Sequence, residues 1–259
     1  MKLLRRAATP RRLGGVLLLS LALAGCAIKT PHLAITQWPI EARAAYYQDP
    51  LPYRVAVLPF EDHRPANERA GQRAPATFLL LWNRRVGDYY TGDHVFGGNV
   101  RAQLAQELAA YLRAANAFTD VNYYPATEST ASPAQAQIQQ LGRSAGADYL
   151  LTTDLQHFFG SQHQEFSMFL LPLYFLSMFG WQEGKGLPWG RTVMVCSLYD
   201  AGQGELVWRH RIETDETLPT ERDSMAEAAL ESFALAAGQV ATEIRNASWH
   251  DQQRTGGTP

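Results

Sequence analysis

Side chains able to do chemistry are few in this chain, and their spacing excludes most reactions. There are two cysteines. Cys26 follows Leu23-Ala24-Gly25, and Cys196 sits among apolar residues in Val193-Met194-Val195-Cys196-Ser197-Leu198, the setting of a small buried hydrophobe. His157 and His163 are six residues apart and His210 is distant, so neither a helix-face pair nor a Cys/His set for a metal is evident. Gly160-Ser161-Gln162-His163 lacks the G-x-S-x-G frame of a nucleophile elbow, although Asp62, His63 and Asp154 can be drawn around Ser161. Gly184-Lys185-Gly186 lacks a strand–loop–helix frame, and Gly97-Gly98-Asn99 lacks the lysine of a phosphate loop. Asp62 and Arg64 stand at the end of an apolar strand, where a charge-assisted hydrogen bond would tie down the following loop. The expectation is a protein with no catalytic set, no metal and no cofactor, and not an enzyme.

One long uncharged stretch needs a different account. Phe166 to Trp181 reads Phe-Ser-Met-Phe-Leu-Leu-Pro-Leu-Tyr-Phe-Leu-Ser-Met-Phe-Gly-Trp, and Trp189 extends the aromatic cluster. As a helix it would reach about 24 Å at 1.5 Å per residue, short of a ~30 Å hydrocarbon core, and Pro172 would kink it. Phe166, Phe169, Phe175, Trp181 and Trp189 are therefore candidates for contact with a partner or a membrane interface, with burial against the chain's own core as the competing outcome.

The first 26 residues carry an address. Positive charge at Lys2, Arg5, Arg6, Arg11 and Arg12 precedes the apolar run Val16 to Leu23, and small residues lead into Cys26. That order is the n-region, h-region and cleavage site of a secretory signal peptide, and the run is too short to span a bilayer. Leu23-Ala24-Gly25-Cys26 resembles the lipobox of bacterial lipoproteins. The resemblance implies that the Cys26 thiol takes a diacylglycerol, that cleavage occurs before it, and that the new amino terminus is acylated. Several acyl chains would make attachment effectively permanent, since each buried methylene contributes about 0.8 kcal/mol. Ala27 stands where enteric lipoproteins retained in the inner membrane carry aspartate, so the implied location is the outer membrane, facing the periplasm.

Residues 1–25 hold five of the 23 Lys+Arg and none of the 25 Asp+Glu, which leaves 18 against 25, or −7, in the mature chain. Such a chain has no basic footprint for nucleic acid and no polybasic stripe for anionic lipid. With 46% hydrophobic and 19% charged residues it can bury a substantial core. Because lipidation would consume Cys26, Cys196 has no partner for an intramolecular disulfide.

Residues 26–52, with Pro31, Pro39 and Pro50, read as the lipidated cysteine and a tether. A domain follows over 53–248, with inserts at 61–98 and 159–190, and a disordered tail over 249–259. Its first strand is Tyr53 to Phe60. The stretch 61–98 reads as a long irregular loop. Asn99 caps a helix with Val100, Leu104, Leu108, Tyr111, Leu112 and Ala115 along one face, and Asn116 stops it. A short strand covers Phe118 to Tyr124. Ser132-Pro133-Ala134-Gln135 matches a capping box for a helix that buries Ile138, Leu141 and Ala145. Strands follow over 149–158, 192–199 and 206–214, the last two joined by Asp200 to Glu205 as a hairpin. Ser224 and Glu227 open the final helix. The order predicts an α/β (α+β) fold, three helices packed on a mixed sheet of about five strands, with two long inserts.

Val55-Ala56-Val57-Leu58-Pro59-Phe60 is similar to the opening strand of the curli-secretion-channel lipoprotein superfamily, and the amino-terminal domain of the Tol translocation protein opens likewise. Leu104 to Val121, Gly146-Ala147-Asp148-Tyr149-Leu150-Leu151, and Tyr199-Asp200-Ala201 with Gly204-Glu205-Leu206-Val207-Trp208 continue the match in the same order. The resemblance implies a periplasmic, non-enzymatic α/β domain whose relatives assemble into rings for secretion or envelope transport. The two inserts show no alternating hairpin pattern, so pore formation is not carried over.

The resulting expectation is a lipid-anchored outer-membrane lipoprotein, self-associating or bound to envelope proteins, that serves as an accessory or assembly subunit in envelope transport or secretion. The competing readings are a carrier of an apolar ligand and a hydrolase-like envelope enzyme.

Overall fold

Val55, Ala56 and Val57 are all buried, which places their strand in the middle of a sheet covered on both faces. The computed structural model describes residues 33–71, 76–79, 82–85, 87–125, 134–164, 186–219 and 224–247. In it β1 (Leu51–Val57) pairs in parallel with β6 (Phe118–Tyr123) on one side and β7 (Tyr149–Gln164) on the other. β8 (Trp189–Asp200) and β9 (Leu206–Thr217) continue from β7 in antiparallel order, so the sheet runs β6-β1-β7-β8-β9. Two short strands, β2 (Glu61–Asp62) and β5 (Gly87–Tyr90), also pair with β7. This is the mixed α/β fold that the order of elements predicts.

The helices divide between the two faces. Two of them, α2 (Val100–Ala114) and α4 (Met225–Asn246), share a core with Val55, Val57, Leu151, Met194 and Cys196. The opposite face receives α3 (Gln135–Ala145), whose Ile138 packs with Ala56, Leu58 and Leu150. All three helices agree with the apolar periodicity of their segments. A fourth, α1 (Ala66–Ala70), is a single short turn. The end signals also hold: the Asn99 side chain accepts from Ala102 N, Ser224 and Glu227 form a reciprocal capping box, and Asn116 takes a left-handed φ of 55° just past α2.

Four local expectations are corrected. The stretch 61–98 is not an irregular loop: it contains β2, α1, β5 and an antiparallel pair, β3 (Ala76–Leu79) with β4 (Trp82–Arg85). These pieces are two to five residues long, too short to show periodicity, and β2 and β5 find their partner in distant β7. The second insert is shorter than 159–190, because β7 runs on to Gln164 and β8 starts at Trp189. The capping residue of α3 is Ala134, with no side-chain cap, and Ser132 and Pro133 lie outside the described residues.

The expected tether is, in part, packed structure. Between residues 33 and 50 it is docked on the domain, with Ile35 and Ile40 fully buried. Ile35 N donates to Gln103 Oε1 at 3.2 Å, Tyr47 N to Ala115 O at 2.9 Å, and Arg43 pairs with Glu231 on α4. Two isolated isoleucines carry no period, so local pattern does not reveal this belt.

The belt creates a pH dependence. Burial, with Glu41 of the belt as a second cause, pushes the Glu107 carboxyl on α2 up to about 7. A carboxyl raised in the folded state contributes stability below its unfolded pKa and loses it as pH rises through the folded value. The loss therefore falls between about pH 4.5 and 7. Glu107→Gln should remove it, making the variant more stable than wild type at pH 8 by on the order of 2 kcal/mol and nearly equal at about pH 4.5. Urea titrations at the two pH values check this, and equal differences at both would refute it.

Candidate functional site

β2 and β7 run in parallel with Glu61 opposite Asp154 and Asp62 opposite Leu155. Paired residues point to the same face and neighbours along a strand to opposite faces. Leu155 belongs to the core under α4. Glu61 and Asp154 therefore face the other way, onto the sheet surface away from α2 and α4, and His63 follows Glu61 two residues on. The backbone fixes this register, since His63 N donates to Leu155 O at 2.9 Å.

His63 lies across the two carboxylates. Its Nδ1 is 3.4 Å from Asp154 Oδ1, and its Nε2 is 3.9 Å from Glu61 Oε2. The His63 side chain is 57% exposed, against 15% for Glu61 and 21% for Asp154. Burial pushes the Asp154 carboxyl above its ordinary value, and the pull of His63 and Arg209 does not overcome this and the opposing effect of the neighbouring Glu61. An imidazole and two adjoining carboxyl groups can trade a proton or ligate a cation.

The strand end is held from behind. The Arg64 guanidinium is 1% exposed and donates from Nε and Nη2 to both oxygens of Asp62, at 2.9 and 2.8 Å. Its Nη1 and Nη2 also donate to Asp93, at 2.9 and 3.0 Å. The Asp62–Arg64 tie expected from the sequence is present, with Asp93 as a second anchor. Farther along the same face, His157 Nδ1 meets Glu68 Oε1 at 2.7 Å. Glu68 is buried, and among the described residues its Oε2 has no hydrogen-bond partner.

The remaining sequence candidates are dispersed. Ser161 is buried and lies about 23 Å along β7 from Asp154, at 3.3 Å per residue, so the His63–Asp154 pair cannot serve it. Asp62 is turned to Arg64 instead. His210 stacks on Trp208. Cys196 is buried beside Thr153, and burial pushes its thiol up to about 12, which keeps it protonated and inert. Trp189 is half-buried, its ring edge-on to Phe159 at 5.3 Å. Leu23, Ala24, Gly25, Cys26, Phe166, Phe169, Phe175 and Trp181 lie outside the described residues. The Glu61–His63–Asp154 group escapes sequence reasoning because its members are not spaced as a cation-binding motif. The one signal for it is an acid and a histidine alternating after a strand.

No protein-family model and no curated protein matches the chain. Several solved structures resemble it. A protein from Xanthomonas campestris aligns at 12% identity over 83% of this chain and 95% of its own, with a TM-score of 0.42. The PelC dodecamer subunit from Paraburkholderia phytofirmans aligns at 15% over 76% and 94%, with a TM-score of 0.36. A lipoprotein from Neisseria meningitidis aligns at 12% over 76% and 100%, with a TM-score of 0.35.

Proposed function

We propose that this protein is a lipid-anchored lipoprotein of the outer membrane, facing the periplasm, and that it acts as a non-enzymatic accessory or assembly subunit in envelope transport or secretion. Its leader supports the anchor: basic residues, an apolar run and Leu23-Ala24-Gly25-Cys26 occur in the required order. The carrying observation is the uncharged sequence Phe166 to Trp181 together with the placement of the residues that flank it. Gly186 N donates to His163 O at 2.9 Å, and Gln162 Nε2 donates to Gly186 O at 2.9 Å. Residues 164 and 186, which flank the stretch containing Phe166 to Trp181, therefore lie together at one end of β7 and β8. An uncharged, aromatic-rich sequence of this length between two such joined strand ends suits contact with another subunit or envelope protein.

Two measurements test the reading. Labelled palmitate should enter the wild-type protein and not Cys26→Ser. In detergent, light scattering should give the wild type a mass above one chain, and Phe169→Ser/Phe175→Ser/Trp181→Ser should return it to one chain without a change in melting. An unlabelled wild type would overturn the anchor. Unchanged assembly in the triple variant would overturn the contact role, and a collapsed fold would assign the segment to the core.

A further inference from the structure

We propose that Glu61, His63 and Asp154 form a binding site for a divalent transition-metal ion of the zinc class. One ligand atom from each residue can be chosen so that all lie within 4.8 Å of one another. Groups bound at about 2.0–2.2 Å to a single zinc stand roughly 3–4 Å apart, so small side-chain rotations complete the set. Three protein ligands with the imidazole largely exposed leave room for water as a fourth.

The donor set selects the ion. Imidazole with two carboxylates suits zinc and its transition-metal neighbours, whereas magnesium and calcium take oxygen ligands. Two adjoining carboxyl groups in a half-buried place repel when both are ionised, and a dication between them removes that repulsion.

The scaffold is rigid where a site needs rigidity. Direct pairing of Glu61 with Asp154 fixes two ligands by strand register. The backbone of the third, His63, is held by its bond to Leu155 O and by the neighbouring buried Arg64 clamp. Ligands held this way lose little freedom on binding.

The test uses the mature protein in detergent, stripped with EDTA and titrated by calorimetry with Zn2+ and, separately, Mg2+. One equivalent of Zn2+ should bind, and Mg2+ should bind far more weakly. Asp154→Asn and His63→Ala should each weaken Zn2+ by about 100-fold, since loss of even an outer-shell group costs roughly 10–100-fold. His210→Ala should bind as wild type does. His63 is exposed enough for His63→Ala to leave the fold intact, so it decides the matter if Asp154→Asn melts early. Absence of Zn2+ binding, binding unchanged in His63→Ala, or equal affinity for Mg2+ would overturn the proposal.

Discussion

Arg64→Ala should lower the unfolding free energy by about 3 kcal/mol, and with it the melting temperature by roughly 6–12 °C. The guanidinium is 1% exposed and serves two carboxylates at once. Its removal leaves Asp62, itself 11% exposed, with a largely buried charge that has lost its hydrogen-bonded cation and keeps only the more distant pull of Arg69. Breaking a buried pair by removing one partner costs about 3–5 kcal/mol, and the lower end applies because Asp93 is 30% exposed. Arg64→Lys should recover only part of the loss, since an ammonium cannot span both carboxylates in the planar fork that guanidinium provides. Pairing Arg64→Met with Asp62→Asn and Asp93→Asn should recover more, because no charge is then stranded.

The same pair sets an acid dependence. Burial alone would raise the Asp62 carboxyl, but the hydrogen bonds and charge of Arg64 outweigh it and hold the group below its ordinary value. A depressed carboxyl contributes stability above its unfolded pKa, about 3.9, and loses it as pH falls through the folded value. The gap between wild type and Arg64→Ala should therefore be full at about pH 6 and narrow below about pH 4. Thermal melts across that range read it directly. A variant that melts within about 2 °C of wild type near neutral pH would refute the clamp.

Gly190→Ala should destabilise by about 3 kcal/mol or more. Gly160 and Gly190 are partners across β7 and β8, and together they make a bare patch on which the first turns of α4 rest. A Cβ on Gly190 would collide with the Ala228 carbonyl oxygen and come within 2.6 Å of Ala229 N, and one on Gly160 would collide with the Met225 carbonyl oxygen. Those obstacles are backbone, so no rotamer change relieves them. Neither glycine is among the residues with positive φ, so the requirement is close approach and not backbone conformation. Moving α4 outward would loosen Leu230, Phe233, Val240 and Ile244, all fully buried. Gly202→Ala is the control: its Cβ would meet only Asp200 Oδ1, at 3.3 Å, and the change should stay within about 0.5 kcal/mol. Urea midpoints compare the two variants with wild type. Equal stability of Gly190→Ala and Gly202→Ala would show that α4 does not rest on the patch.

Elements long enough to show a period are legible in the residue pattern alone. The faces of α2 and α4 follow from Leu104, Leu108 and Leu112, and from Phe233, Val240 and Ile244, because helical spacing is written locally. The strands β7, β8 and β9 are legible too but read short, since Gly160, Gly190 and the charged end of β9 look like strand stops. The belt over 33–50 is hidden because Ile35 and Ile40 owe their burial to the domain they dock on, far along the chain. Of the candidate site, Asp62 and Arg64 pair on sequence proximity. His63 and Asp154 can be drawn together only around Ser161, which β7 carries far from them.

Local chemistry along the chain dictates the amphipathic elements, their order, and the inert apolar setting of Cys196. Each of these is a statement about neighbours within a few residues, where side-chain periodicity and capping act. Three-dimensional packing alone sets Glu61 opposite Asp154, brings Arg64 to Asp93, and joins Gly160 and Gly190 in one patch. Strand register and helix crossing bring those residues together across long separations, and no local pattern encodes a register that is chosen by burying the whole sheet at once.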